Sequence, residues 1–195
     1  MIASLALVLL AEVPLQRHAV AQQFRLPATL DAAARPTVRN GDFASRKIDG
    51  GWIDCGTAPA SVSVAPARPG AFAQYSGMRG GRGEPEGDSG VCQAIRVPRD
   101  GLLQADLYEL SNERDTRFAY QEADLLDRRG NVVVNLYKTV NNVPRWARGT
   151  WNLGAYAGNT YWLYFGVHGD GYENATTEQF VRRVVLTGRA SSPRE

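Results

Sequence analysis

From residue 38 onward the chain is a succession of short segments in which apolar and polar residues alternate, each closed by a glycine, proline or aspartate turn. A two-residue period puts every second side chain on the same face of a strand, whereas a helix repeats every 3.6 residues. Residues 38–43 open the series, and Gly50-Gly51 precedes Trp52. Residues 61–65 alternate, 78–90 form a Gly-rich loop, and 91–97 alternate again up to Pro98. An Arg99-Asp100-Gly101 turn leads into 102–110. Residues 116–126 follow, then an Arg128-Arg129-Gly130 turn, and then 131–138, 145–153, 161–167 and 180–187. No ten-residue helical period interrupts them. About eight to ten short strands with long connections predict an all-β chain folded as an antiparallel β-sandwich. Twenty glycines and ten prolines supply the turns such a fold needs.

The period sorts the faces. Leu103, Ala105 and Leu107 are expected inward, leaving Gln104, Asp106 and Tyr108 outward. Ala119, Ala123 and Leu125 point inward against Tyr120, Glu122 and Asp124. Val132, Val134 and Leu136 oppose Asn135 and Tyr137, and Tyr161, Leu163, Phe165 and Val167 oppose Trp162 and Tyr164. The outward sets are richer in aromatics than a merely solvated face requires.

Residues 1–21 are expected to be an export signal. An apolar run of about ten residues is the size of a signal-peptide core and too short for a membrane span, and Ala19-Val20-Ala21 is a small-x-small cleavage site. Residues 22–37 lack a period and contain two prolines, so they are expected to be a linker. The domain then covers 38–188, and 189–195 form a disordered tail. Export makes a disulfide between Cys55 and Cys92, the two cysteines of the chain, the expected state. A net charge of +2 with interspersed signs shows no basic stripe for nucleic acid. No apolar run reaches the roughly 18 residues of a membrane span.

Asn40-Gly41-Asp42-Phe43, Gly51-Trp52 and the run from Gln93 to Pro98 resemble the opening of galactose-binding-like jelly rolls, the architecture of many carbohydrate-binding modules. The second half is similar to accessory modules of secreted bacterial proteins, often found beside subtilisin-like or kumamolisin-like peptidases. Tyr120-Gln121-Glu122-Ala123, Trp146, the run 152–158 and the run 165–172 carry that likeness. The resemblance covers residues 38–188 and implies a jelly roll. Such modules often close on Val-Asp-Asp-Val, one aspartate of which helps hold calcium. Here the match is Val181-Arg182-Arg183-Val184. Two guanidinium groups repel a divalent cation, so no metal is expected, and a salt bridge from Arg182 or Arg183 to Asp42 or a nearby acid is expected in its place.

Trp162, Tyr164, Tyr120, Tyr137 and Tyr108 are the candidate ring-stacking residues, with Glu122, Asp124 and Asp106 as polar anchors. The open alternative is that residues 22–37 or a loop cover this face and make it a second small core. Catalytic arrangements are disfavoured. Glu122 and Asp124 invite a glycosidase reading, but nothing marks one of them as an acid. His168 and Asp170 lack a nucleophile elbow. The Arg79–Gly83 stretch lacks the remainder of a phosphate loop. The expected function is a secreted, monomeric, non-catalytic module without cofactor that binds a glycan or cell-surface polymer, with a secreted protein as a further candidate partner. The alternative is a structural or protein-interaction domain that has lost glycan binding.

Overall fold

The computed structural model describes residues 23–78 and 83–189. The expected export signal and most of the expected tail lie outside them. One helical turn, α1 (Leu30–Ala33), precedes ten strands. These are β1 (Trp52–Asp54), β2 (Ser61–Val64), β3 (Phe72–Ser76), β4 (Glu86–Arg96), β5 (Arg99–Ser111), β6 (Tyr120–Leu126), β7 (Val132–Thr139), β8 (Val143–Asn152), β9 (Thr160–Asp170) and β10 (Thr177–Arg189).

They form two antiparallel five-stranded sheets. Sheet A runs β1-β4-β9-β6-β7 and sheet B runs β2-β3-β10-β5-β8. Successive strands therefore alternate between the layers from β3 to β6 and from β7 to β10, as in a jelly-roll β-sandwich. The core between them is built from the residues the alternation points inward: Leu103, Ala105 and Leu107 from β5, Ala123 and Leu125 from β6, and Leu163 and Phe165 from β9.

Tyr137 departs from the expected parity. It pairs with Ala123, while the next residue of β6, Asp124, pairs with Asn135. Leu136 is thus the extra residue of a β-bulge, which turns Tyr137 to the inner side. There its hydroxyl accepts a hydrogen bond from Gln179 Nε2, and its ring stacks on Trp151 at 5.6 Å. Tyr137 is an interior residue and not part of an outward face.

Cys55 and Cys92 are joined by a disulfide with a Cα–Cα separation of 5.8 Å. It ties the end of β1 to its neighbour β4, and closing its 37-residue loop is worth about 4 kcal/mol in the chain-entropy model.

Candidate functional site

On the outer face of sheet A the register lines up side chains from β4, β9 and β6 in four rows. They are Ala94–Trp162–Leu126, Cys92–Tyr164–Asp124, Gly90–Gly166–Glu122 and Asp88–His168–Tyr120. Five of the eight candidate residues, Trp162, Tyr164, Tyr120, Glu122 and Asp124, therefore meet on one face. The bare Gly90–Gly166 pair gives the Tyr164 ring its place. A Cβ on Gly90 would fall 2.3 Å from the ring, and one on Gly166 would fall 2.1 Å from its hydroxyl.

The face is not open. Residues 23–35, expected to be a linker, lie across it. The Gln23 amide donates to Asp88 Oδ2 at 2.6 Å, and the Arg25 amide donates to the Cys55 carbonyl at 2.7 Å. Phe24 sets its edge on Tyr164 at 4.8 Å between centroids. Leu30 and Ala34 pack with Trp162, Tyr164, Leu126 and the disulfide in a second core cluster. The Arg35 carbonyl accepts the Arg96 amide at 2.7 Å. The segment has no period because it pays its way by scattered apolar anchors (Phe24, Leu26, Leu30, Ala34) and not by a regular face. Trp162 is 2% exposed and Tyr164 0%, so the covered-face alternative describes them and a solvent-open groove at these two residues does not.

The polar rows form a buried charge cluster. Asp88 Oδ1 lies 2.8 Å from His168 Nδ1, and the His168 ring stacks on Tyr120 at 4.9 Å. Lys138 Nζ sits 3.4 Å above the Tyr120 ring, and Asn135 Nδ2 donates to Asp124 Oδ1 at 2.6 Å. Burial pushes the Asp124 carboxyl up to about 7 and the hydroxyls of Tyr120 and Tyr164 above their ordinary values. Glu122 and Asp124 are two apart on one strand face, as expected, but are 1% and 0% exposed. Both carboxylates are thus closed to solvent.

Asp106 and Tyr108 lie elsewhere, on the outer face of sheet B. There the register places Phe180 opposite both Tyr75 and Tyr108. Ring centroids step from Tyr75 to Phe180 (4.8 Å), to Tyr108 (5.9 Å) and to Trp146 (5.6 Å), an aromatic row across β3, β10, β5 and β8. Tyr75 is buried, while Phe180, Tyr108 and Trp146 are half-buried. Trp146 is fixed by its indole N–H, which donates to the Pro66 carbonyl at 2.7 Å.

Beside this row sits a charged one. Asp106 Oδ1 holds Arg148 Nε at 2.5 Å, and Asp106 Oδ2 faces Arg183 Nη1 at 3.5 Å and Arg182 Nε at 3.9 Å. The Arg182 guanidinium also lies over Trp146 at 5.3 Å. The expected salt bridge thus forms to a nearby acid, Asp106. Asp42 instead accepts the Ala44 amide at 3.2 Å. Simple alternation would send Arg182 and Arg183 to opposite faces. A register shift after Arg182, with Arg183 at φ 51°, breaks that alternation and lets both reach Asp106. Phe180, Arg148 and the Trp146 contact were not read from the sequence. The parity of β10 points Phe180 and Arg182 outward, but only the pairing of β10 with β5 shows that they adjoin Tyr108 and Asp106.

Among the described residues no group of three or more histidine, cysteine, aspartate or glutamate side chains is arranged to hold a metal ion.

No protein-family model matches the sequence, and no curated protein matches it. Solved structures match the fold. The chain is similar to TmCBM61 in complex with β-1,4-galactotriose, at 14% identity and a TM-score of 0.50, over 77% of this chain and 96% of that one. It is also similar to the K1 cleaved adhesin domain of Lys-gingipain from Porphyromonas gingivalis W83, at 14% identity and a TM-score of 0.51, over 80% and 99%. The fold is the jelly-roll β-sandwich of carbohydrate-binding modules and adhesin domains.

Proposed function

We propose that the chain is a secreted, non-catalytic module that binds glycan on the outer face of sheet B. One observation carries this reading: a half-exposed aromatic row, Phe180–Tyr108–Trp146, flanked by the Arg148–Asp106–Arg182 row. Sugar rings lay C–H faces on aromatic rings, and fixed charged groups hydrogen-bond the hydroxyls. The two rows supply both at the roughly 5 Å spacing of neighbouring strands. The corresponding face of sheet A is occupied by the chain's own residues 23–35. The galactotriose complex of TmCBM61 supports carbohydrate as the ligand class, and the disulfide supports an oxidising compartment. No helix of the described residues is long and apolar enough to cross a membrane.

The alternative, an interaction domain that has lost glycan binding, draws on the covered face of sheet A, where Trp162 and Tyr164 serve as core. A panel of neutral and acidic oligosaccharides titrated against the chain separates the two readings. Glycan binding is expected, and Tyr108→Ala is expected to weaken it about tenfold, the effect of removing one interfacial anchor, while the variant stays folded with a modestly lower melting temperature because its ring contacts to Phe180 and Trp146 are lost. Failure of every glycan to bind, or full affinity in Tyr108→Ala, contradicts the proposal.

A further inference from the structure

The aromatic row ends at Arg182, and Arg182 also lines an open cleft of about 740 Å³. One wall is the opening loop with Asp42 and Arg46, another is the β2–β3 connection with Gly70 together with Phe72 at the start of β3, and the floor is the β10 bulge with Arg182 and Arg183. Three guanidinium groups thus face the cleft against one lining carboxylate, and that carboxylate is engaged by the Ala44 amide. Asp106, the acid held by Arg182 and Arg183, is shared with Arg148 as well. The Arg183 side chain is 57% exposed, and Arg46 lies over the Phe72 ring at 4.6 Å without an ion pair among the described residues.

Left-handed backbone concentrates around the cleft. Six non-glycine residues among those described have φ in the left-handed region. Five of them, Asn40, Phe43, Arg46, Ala67 and Arg183, belong to the three segments that wall the cleft. Such residues each cost about 1–2 kcal/mol and concentrate where a side chain must be aimed. Two of the five, Arg46 and Arg183, are arginines of the cleft itself.

We propose that this cleft is an anion subsite, so that the ligand of the sheet B face is an acidic polysaccharide bearing carboxylate or sulfate groups. The inference rests on the glycan-binding reading above and names the substrate class for the same surface. A sugar ring stacked on the Tyr108–Trp146 row places a neighbouring residue's anionic group toward Arg182, and Arg183 and Arg46 close around it. Planar guanidinium groups form paired hydrogen bonds to carboxylate and sulfate oxygens, which a neutral hydroxyl cannot match.

The test titrates the intact chain with three oligosaccharides of equal length: an oligogalacturonate, a sulfated galactan fragment and a neutral β-1,4-galactan fragment. At least one acidic ligand is expected to bind about tenfold or more tighter than the neutral one, with affinity that falls as salt is raised. The two acidic arms distinguish carboxylate from sulfate. Arg46→Asn and Arg183→Asn remove charge while keeping a residue that tolerates left-handed backbone. The double variant is expected to lose that preference while retaining neutral binding. Equal affinity for acidic and neutral ligands, or an acidic preference that survives the double variant, overturns the inference and leaves the glycan-binding reading standing. Absence of binding to all three overturns both.

Discussion

Trp162→Ala is expected to lower the unfolding free energy by about 4 kcal/mol, as large-to-small changes at buried tryptophans do. Trp162 is 2% exposed and sits where the Leu30 turn, Ala34, Leu126 and Tyr164 converge on sheet A. Removing the indole opens a cavity under residues 23–35 and takes away the apolar surface that holds them down. Its N–H has no hydrogen-bond partner among the described residues, so Trp162→Phe removes an unsatisfied buried donor along with some volume and is expected to be milder. Glycan affinity of the folded fraction of either variant is expected to stay close to that of the parent chain, because the sheet B row is on the other layer. Urea denaturation measures the first effect and titration the second. A loss below about 1 kcal/mol would mean that the indole is not packed as described.

The second large effect is a loss of stability as pH rises from about 4 toward 7. Burial pushes the Asp124 carboxyl from 3.8 up to about 7 and the Glu84 carboxyl from 4.5 up to about 7. For Asp124 the hydrogen bond from Asn135 and the charge of Lys138 oppose the burial, while Asp88 adds to it. For Glu84 the hydrogen bond from Thr177 opposes it, while Glu113 and Asp170 add to it. Asp54, Glu109 and Glu178 are raised as well, by burial first, whereas Asp127 is lowered by its loop hydrogen bonds. A carboxyl whose folded pKa lies above its unfolded value binds more protons in the folded state. Stability is therefore fullest below about pH 4 and falls as pH rises toward about 7. Each pK unit is worth about 1.4 kcal/mol, but solvent screening and relaxation with water entry take back a large part, so the expected fall is on the order of a few kcal/mol between about pH 4 and 7. Chemical denaturation at a series of pH values measures it. A stability that rises across this window would contradict the burial of Asp124 and Glu84. Asp124→Asn and Glu84→Gln are each expected to flatten part of the slope.

The strands were legible because their information is local. In β5 the alternation of Leu103, Ala105 and Leu107 with Gln104, Asp106 and Tyr108 is reproduced residue by residue. Trp162, Tyr164, Glu122 and Asp124 also share a face as the parity requires. What alternation cannot say is what lies above a face. Residues 23–35 hold sheet A through isolated anchors and backbone hydrogen bonds, which leave no periodic mark. Nor can it register an added residue. One bulge at Leu136 brings Tyr137 into the core, and another beyond Arg182 turns both arginines to Asp106. The sheet B row was hidden for a third reason. Tyr75, Tyr108, Trp146 and Phe180 come from strands far apart in the chain, and only the order β3-β10-β5-β8 makes them neighbours.

Glycan is proposed to bind the open face of sheet B while sheet A keeps its own chain as cover. Amide chemical-shift mapping during titration with the tightest-binding oligosaccharide tests it most directly. Shifts are expected at Tyr108, Trp146, Phe180 and Arg182, with Phe24, Trp162 and Tyr164 unmoved. Shifts concentrated at Phe24, Tyr120, Trp162 and Tyr164, with the sheet B row silent, would contradict it.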